Sequence, residues 1–178
     1  MSAFQIQIDD AAIAATLNRL QAAGQNLTPI LKAIGEGVME RTKRRFGSTT
    51  GPDGVPWRAN ARSTIEAFIR EKGGMGKRGI NKKGQGRAMS KKPLAGHSGD
   101  LARQFHVAVS GNTLTVGSSM EYAAMQQFGG KKSQFPNLWG DIPARPFLPV
   151  TASGDLYPQE RGLILDELNT YLERAVRG

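Results

Sequence analysis

Eight basic side chains fall between Lys72 and Lys92 (Lys72, Lys77, Arg78, Lys82, Lys83, Arg87, Lys91 and Lys92), with no carboxylate among them. The whole chain carries +9, so this one stretch holds nearly all of the net charge. Ammonium and guanidinium groups at such density do one kind of chemistry. They bind anions, either phosphates by releasing counterions or an acidic protein surface. Six glycines, at 73, 74, 76, 79, 84 and 86, separate the charges, and only Met75, Ile80 and Met89 are sizeable apolar residues. Like charges repel and glycine is costly to order, so the composition predicts a mobile loop over 72–92 that a partner orders.

Chemistry of the bond-making kind has little to work with. His97 and His106 are the only histidines, and neither has a nucleophile or carboxylate at a useful spacing. Asp53, Asp100 and Asp141 sit in turn or cap sequences, and the DxDxDG ladder of a calcium loop is absent. The run GGMGKRGINKKGQG lacks the GxxxxGK[ST] phosphate cradle. Zero cysteines exclude disulfides and thiolate metal sites. The sequence therefore predicts no enzyme, no cofactor and no metal. It also predicts no membrane partner, because no apolar run approaches the ~20 residues of a bilayer span. The first ten residues lack the basic start and apolar core of a secretion signal.

Three aromatics are costly to leave in water. Trp57, delivered by the turn GSTTGPDGVPW, fits burial beneath that turn and contact with a partner equally well. Phe135 and Trp139, in a loop over 129–143, fit an intersubunit contact at least as well as burial under the loop, since aromatics concentrate at interfaces.

The elements that must carry these residues read as follows. Phe4-Gln5-Ile6-Gln7-Ile8 alternates apolar and polar and predicts a half-buried strand. Asp9 or Asp10 caps a helix carrying Ile13, Leu17 and Leu20, which ends at Gly24. Thr28-Pro29 opens a second helix with Ile30, Ile34, Val38, Thr42 and Phe46 on one stripe. The basic residues Arg41, Lys43, Arg44 and Arg45 near its end suit the helix dipole as a solvated face. A short helix with Ile65, Phe68 and Ile69 follows, then the basic loop, then a brief helix capped at Ser98-Gly99. Phe105, Val107 and Val109, the pair Gly111-Asn112, then Leu114 and Val116 predict a type II′ hairpin. In that register Val109 faces Leu114 and Val107 faces Val116. Residues 121–128 read as a helix, and Arg145 to Val150 as an edge strand, since prolines bar it from a sheet centre. Leu163, Ile164, Leu168, Tyr171, Leu172 and Ala175 mark a long terminal helix. The fold class is α+β, one domain over 1–178: a small antiparallel sheet with a central hairpin packed on N- and C-terminal helices, with long extended loops.

Four segments in series, RRFGSTTGPDGVPW, HSGDLARQF, VGSSMEYAAMQQFGG and IPARPFLPVT, resemble the virion morphogenesis, or tail completion, family of Mu-like tailed phages. The resemblance runs from about Arg44 to the end. By position it carries the family's turn and tryptophan onto Asp53, Gly54 and Trp57. It likewise marks Ser98, Gly99 and Leu101, then Tyr122, Ala123, Phe128 and Gly129, then Arg145, Pro146 and Phe147. The long glycine-rich loop of 72–92 departs from that pattern.

The resemblance implies a structural protein of the virion neck, made in the host cytoplasm. It would act as a hexameric ring where the tail joins the head, against a stopper, tail terminator or tail tube. The expected contact residues are Trp57, Lys77, Arg78, Lys82, Lys83, Arg87, Lys91, Lys92, Phe135, Trp139, Arg145 and Phe147. Residues 145–150 are also expected to augment a neighbour's sheet edge. A ring of ~6 copies would gather on the order of fifty positive charges from the loops, facing packaged DNA or an acidic ring. The alternative is a small basic nucleic-acid-binding protein using the loop and the end of the second helix.

Overall fold

A computed structural model describes residues 10–76, 79–96, 99–138 and 140–177. The strand expected at Phe4–Ile8, the basic residues Lys77 and Arg78, the His97-Ser98 pair and Trp139 lie outside the described residues.

Helix α1 (Ala11–Ala22) starts where Asp10 accepts hydrogen bonds from the N–H groups of Ala12 and Ile13, at 3.0 and 3.2 Å. That carboxylate satisfies donors a helix start leaves orphaned. The helix stops at Gly24, whose φ of +72° turns the chain towards α2 (Thr28–Ser48), which has Pro29 in its first turn. Ile30, Ile34 and Val38 of α2 are buried in a cluster with Leu20 of α1 and with Ile164 and Leu168 of α7 (Pro158–Arg177). This three-helix packing forms one core.

The hairpin β3 (Phe105–Ser110) and β4 (Thr113–Ser118) lies on α2 in the expected register, with Val107 opposite Val116 and Val109 opposite Leu114. Gly111 has φ +56° while Asn112 has no positive φ, as a type II′ turn requires. Gly35 lets the sheet approach: a Cβ there would stand 2.4 Å from Val107 Cγ1 and 2.7 Å from Leu114 Cδ1. The architecture is α+β with small antiparallel sheets, as the patterning predicts.

A second core is aromatic. Phe46 at the end of α2 lies 5.4 Å from Trp57 and 5.5 Å from Phe147, and Phe105 lies 5.9 Å from Phe147. Leu101 of α5 (Asp100–Arg103) and Ala123 of α6 (Ala123–Phe128) complete it. Trp57 arrives on the expected turn, where Gly54 has φ +78° and the Val55 N–H reaches Asp53 Oδ1.

Two expectations are corrected here. The first concerns 72–92, which is not a featureless loop. After α3 (Arg62–Glu71) come β1 (Met75–Gly76) and β2 (Gly79–Ile80), paired antiparallel, and then α4 (Lys82–Ser90). Asn81 caps α4 by accepting from the Gly84 N–H at 2.9 Å. The glycines serve close approach: a Cβ on Gly84 would sit 2.2 Å from the Gly74 carbonyl oxygen and 2.9 Å from Ile69 Cγ2. Ile69 is thereby fully buried between α3 and α4.

The second concerns the solvated basic face. Arg41 and Arg45 converge instead on Glu160 of α7, which is 2% exposed. Arg41 donates to Oε1 from Nε and Nη2 at 2.8 and 2.6 Å, and Arg45 Nη2 to Oε2 at 2.9 Å. Charges this deep are stable only when paired. Glu160→Ala is expected to cost about 3 kcal/mol in chemical denaturation by leaving two guanidinium groups without their carboxylate.

Asp10 supplies a pH signature. The Arg161 side chain hydrogen-bonded to it holds its carboxyl below the ordinary carboxylate range. A depressed folded pKa gives stability that is present above the unfolded value and lost as pH falls through the folded one. The stability gap between wild type and Asp10→Ala, about 1 kcal/mol near neutrality, should therefore shrink as the pH is taken below about 3.9. A gap indifferent to pH in thermal melts would contradict this pairing.

Candidate functional site

Residues 145–150 cross the aromatic core outside any named strand, bending at Leu148-Pro149 and forming one β-bridge, from Val150 to Leu156. Pro146 and Pro149 lack N–H groups, and the remaining backbone groups bond mainly to side chains of the same chain. Gln127, buried on α6, accepts from the N–H groups of Phe147 and Leu148 at 2.9 Å each. Its amide donates to the carbonyls of Leu148 and Val150 at 3.1 and 3.0 Å. Trp57 Nε1 donates to the Pro146 carbonyl at 2.9 Å, and Arg45 Nη1 to that of Phe147 at 2.9 Å.

The expected edge strand is thus an internal strut, and it offers no free ladder to a neighbour. Three expected contact residues go with it. Trp57 is 7% exposed, Arg145 7% and Phe147 0%. As surface contacts they are corrected, because aromatic packing and backbone hydrogen bonding use them inside the fold. Arg145 donates to the carbonyls of Arg58 and Ala59 at 2.8 and 3.1 Å. Burial, and secondarily the Arg58 charge, lowers its pKa.

A cleft of about 1040 Å³ opens where the start of α3 and the 91–96 strap face the body. Its walls are the run leading into α3, the 91–96 strap, Tyr122 and Gln126, and the loop over 129–143. Arg58, Lys91, Lys92, Lys131 and Arg145 line it against Asp100 and Asp141, a basic excess suited to an acidic group. Burial of Tyr122, with Asp100 adding to it, raises the phenol pKa. The loop is closed by the Gly130–Ile142 bridge and by Asp141, which accepts from the Lys132 N–H at 2.8 Å.

Among the expected basic residues, two roles separate. Lys91 and Lys92 hold the strap: Lys91 Nζ donates to the Ala95 carbonyl and lies 4.6 Å over the Phe68 ring, and Lys92 Nζ donates to the Gly47 carbonyl at 2.8 Å. Burial lowers the Lys91 pKa, with Glu71 opposing. Lys82 and Lys83 are exposed on α4, and Arg87 is half-buried with Nη1 unpartnered among the described residues. Beside them the arm exposes Met89, 91%, and Ile80. Phe135 is 46% exposed at the tip of the second loop.

Sequence reasoning missed Arg58 and Lys131 as cleft residues, and Gln127 and Glu160 as anchors. Only the long-range contacts reveal them: Glu160 meets Arg41 across 119 positions. Among the described residues no group of three or more His, Asp or Glu is placed to hold a metal, and no helix is long and apolar enough to cross a membrane.

The phage virion morphogenesis family matches residues 8–173, a span that begins well before the segments that carry the resemblance in the sequence. A Haemophilus influenzae protein, Mu-like prophage FluMu G protein 2, is 36% identical over 66 residues, covering 37% of this chain and 42% of that protein. The chain thus spans less than half the length of the curated relative it matches. No solved structure matches.

The Gly74–Gly84 contact gives a direct test of the arm. Gly84→Ala forces α4 off α3 by overpacking, an effect of about 1.5 kcal/mol. Limited proteolysis within 72–92 should then quicken by about tenfold, while the melting of the body stays within a degree or two. Unchanged cleavage would mean that the two glycines do not hold the arm.

Proposed function

The chain belongs to the phage virion morphogenesis family, and on that premise we propose that it completes the tail and joins it to the head, as a ring of copies in the virion neck. The role is structural and not enzymatic. What carries this reading is the arm: Met89 and Ile80 stand in solvent beside Lys82 and Lys83, on a unit formed chiefly by α3 and α4 packing on each other. Apolar side chains displayed among charges are suited to a protein partner more than to water. In a ring, each arm lies on a neighbouring copy or on the adjoining stopper, tail terminator or tail tube. The cleft beside it receives an acidic segment, and the exposed lysines face that partner or the DNA in the lumen.

The test uses particles assembled without the chain. Heads and tails should accumulate apart, and purified chain should restore joined virions. Averaged images should then place a ring of density at the junction, and mass measurements of the purified ring should give a closed oligomer. Heads and tails that join without the chain, or a junction whose image lacks it, would overturn the proposal. Lys82→Glu with Lys83→Glu should reduce joining at unchanged thermal stability, since both side chains are exposed on α4.

A further inference from the structure

The hairpin leaves one of its edges open beside a groove. Ser110 and Thr113 flank the two-residue turn and form the first bonded pair, and bonded and non-bonded pairs alternate from there. The N–H and C=O groups of Phe105, Val107 and Val109 therefore point away from β4. No backbone hydrogen bond among the described residues takes them. Alongside runs a groove of about 510 Å³, walled on its far side by Lys32, Glu36 and Met39 of α2. The side chains of Phe105, Val107 and Val109 line it, half-buried. Such a site asks for an extended backbone with an apolar side chain at every second position.

The chain has one such segment to give. Phe4-Gln5-Ile6-Gln7-Ile8 carries three apolar residues at the required period, with glutamines for the solvent side. We infer that this segment of one copy adds as a strand to the β3 edge of a neighbouring copy, seating Phe4, Ile6 and Ile8 against α2.

Reach decides between its own groove and a neighbour's. Asp10 is fixed at the start of α1 by its helix-capping bonds and by Arg161. Only Asp9 separates it from Ile8, so Ile8 lies within about 7 Å of Asp10. Residues two apart on a helix stand roughly 200° apart around its axis. Ile34 and Arg41, which meet the α1–α7 side, thus lie across α2 from Lys32, Glu36 and Met39. A helix with its side chains is about 10–12 Å wide, more than the tether spans. Each copy then gives one strand and receives one, a head-to-tail contact that can close into a ring.

The inference rests on the self-assembly proposed above, and the experiment separates the two. The chain has no cysteine, so introduced pairs report without background. Copies bearing Gln5→Cys or Gln7→Cys, mixed with copies bearing His106→Cys or Ala108→Cys, should form disulfides between copies on mild oxidation. Ile6→Asp, which places a charge in the groove, should raise the dissociation constant of the oligomer by about a hundredfold and leave the melting of the monomer unchanged. Oligomers that form without any of these disulfides and tolerate Ile6→Asp would overturn strand exchange and leave the ring standing. A doubly substituted chain that closes the bond within itself would overturn it too. A chain that stays monomeric alone and on tails would overturn both readings.

Discussion

A proline-bearing segment driven through the centre of a domain must find partners for its backbone without help from a sheet. Residues 145–150 meet that constraint through side chains. Gln127 alone bonds four backbone groups between Phe147 and Val150, and Trp57 and Arg45 take two more carbonyls. An amide is suited to this because it is donor and acceptor at once. Each group left unbonded at that depth would cost about 1–3 kcal/mol. The arrangement also joins distant parts of the chain, because Arg45 serves the Phe147 carbonyl and Glu160 together.

This internal strut decides what the surface can offer. With 145–150 used up inside, the body's place for sheet growth is the β3–β4 hairpin, which has a groove beside its β3 edge. Trp57 and Phe147 fix the aromatic core, and the most exposed large apolar side chain is Met89 on the arm, with Ile80 on the same arm and Phe135 at the loop tip, while Val55, Tyr122 and Leu163 are exposed on the body. The arm thereby projects the most exposed apolar contact from a body whose aromatic core is closed. That division suits the role proposed above, in which copies of the chain and neighbouring virion parts complete its surfaces.

Much of the body was legible because its signals are local. Alternation and a Gly-Asn turn set the hairpin register, Thr28-Pro29 marked the start of α2, and Asp9-Asp10 marked that of α1, with Asp10 the cap. The arm was misread for a physical reason. Glycines at 74 and 84 look like entropy in a sequence, whereas here they permit contact between two backbone segments that side chains would hold apart. The same limit applied to charge. Arg41 and Arg45 match a helix dipole when seen alone, and nothing nearby announces a carboxylate on α7. Of the candidate contacts, Lys82, Lys83 and Phe135 do lie at the surface, while Trp57, Arg145 and Phe147 turned inward because aromatic and guanidinium groups serve cores as readily as interfaces.

Amide hydrogen exchange on the isolated chain and on the chain in the proposed neck assembly tests the division between strut and arm most directly. Phe147 and Leu148 should exchange as slowly as the buried turns of α2 in both states, although they belong to no strand, while amides over 79–92 exchange quickly in the free chain and slow on assembly. Fast exchange at Phe147 and Leu148, or an arm whose protection is the same free and assembled, would contradict the account.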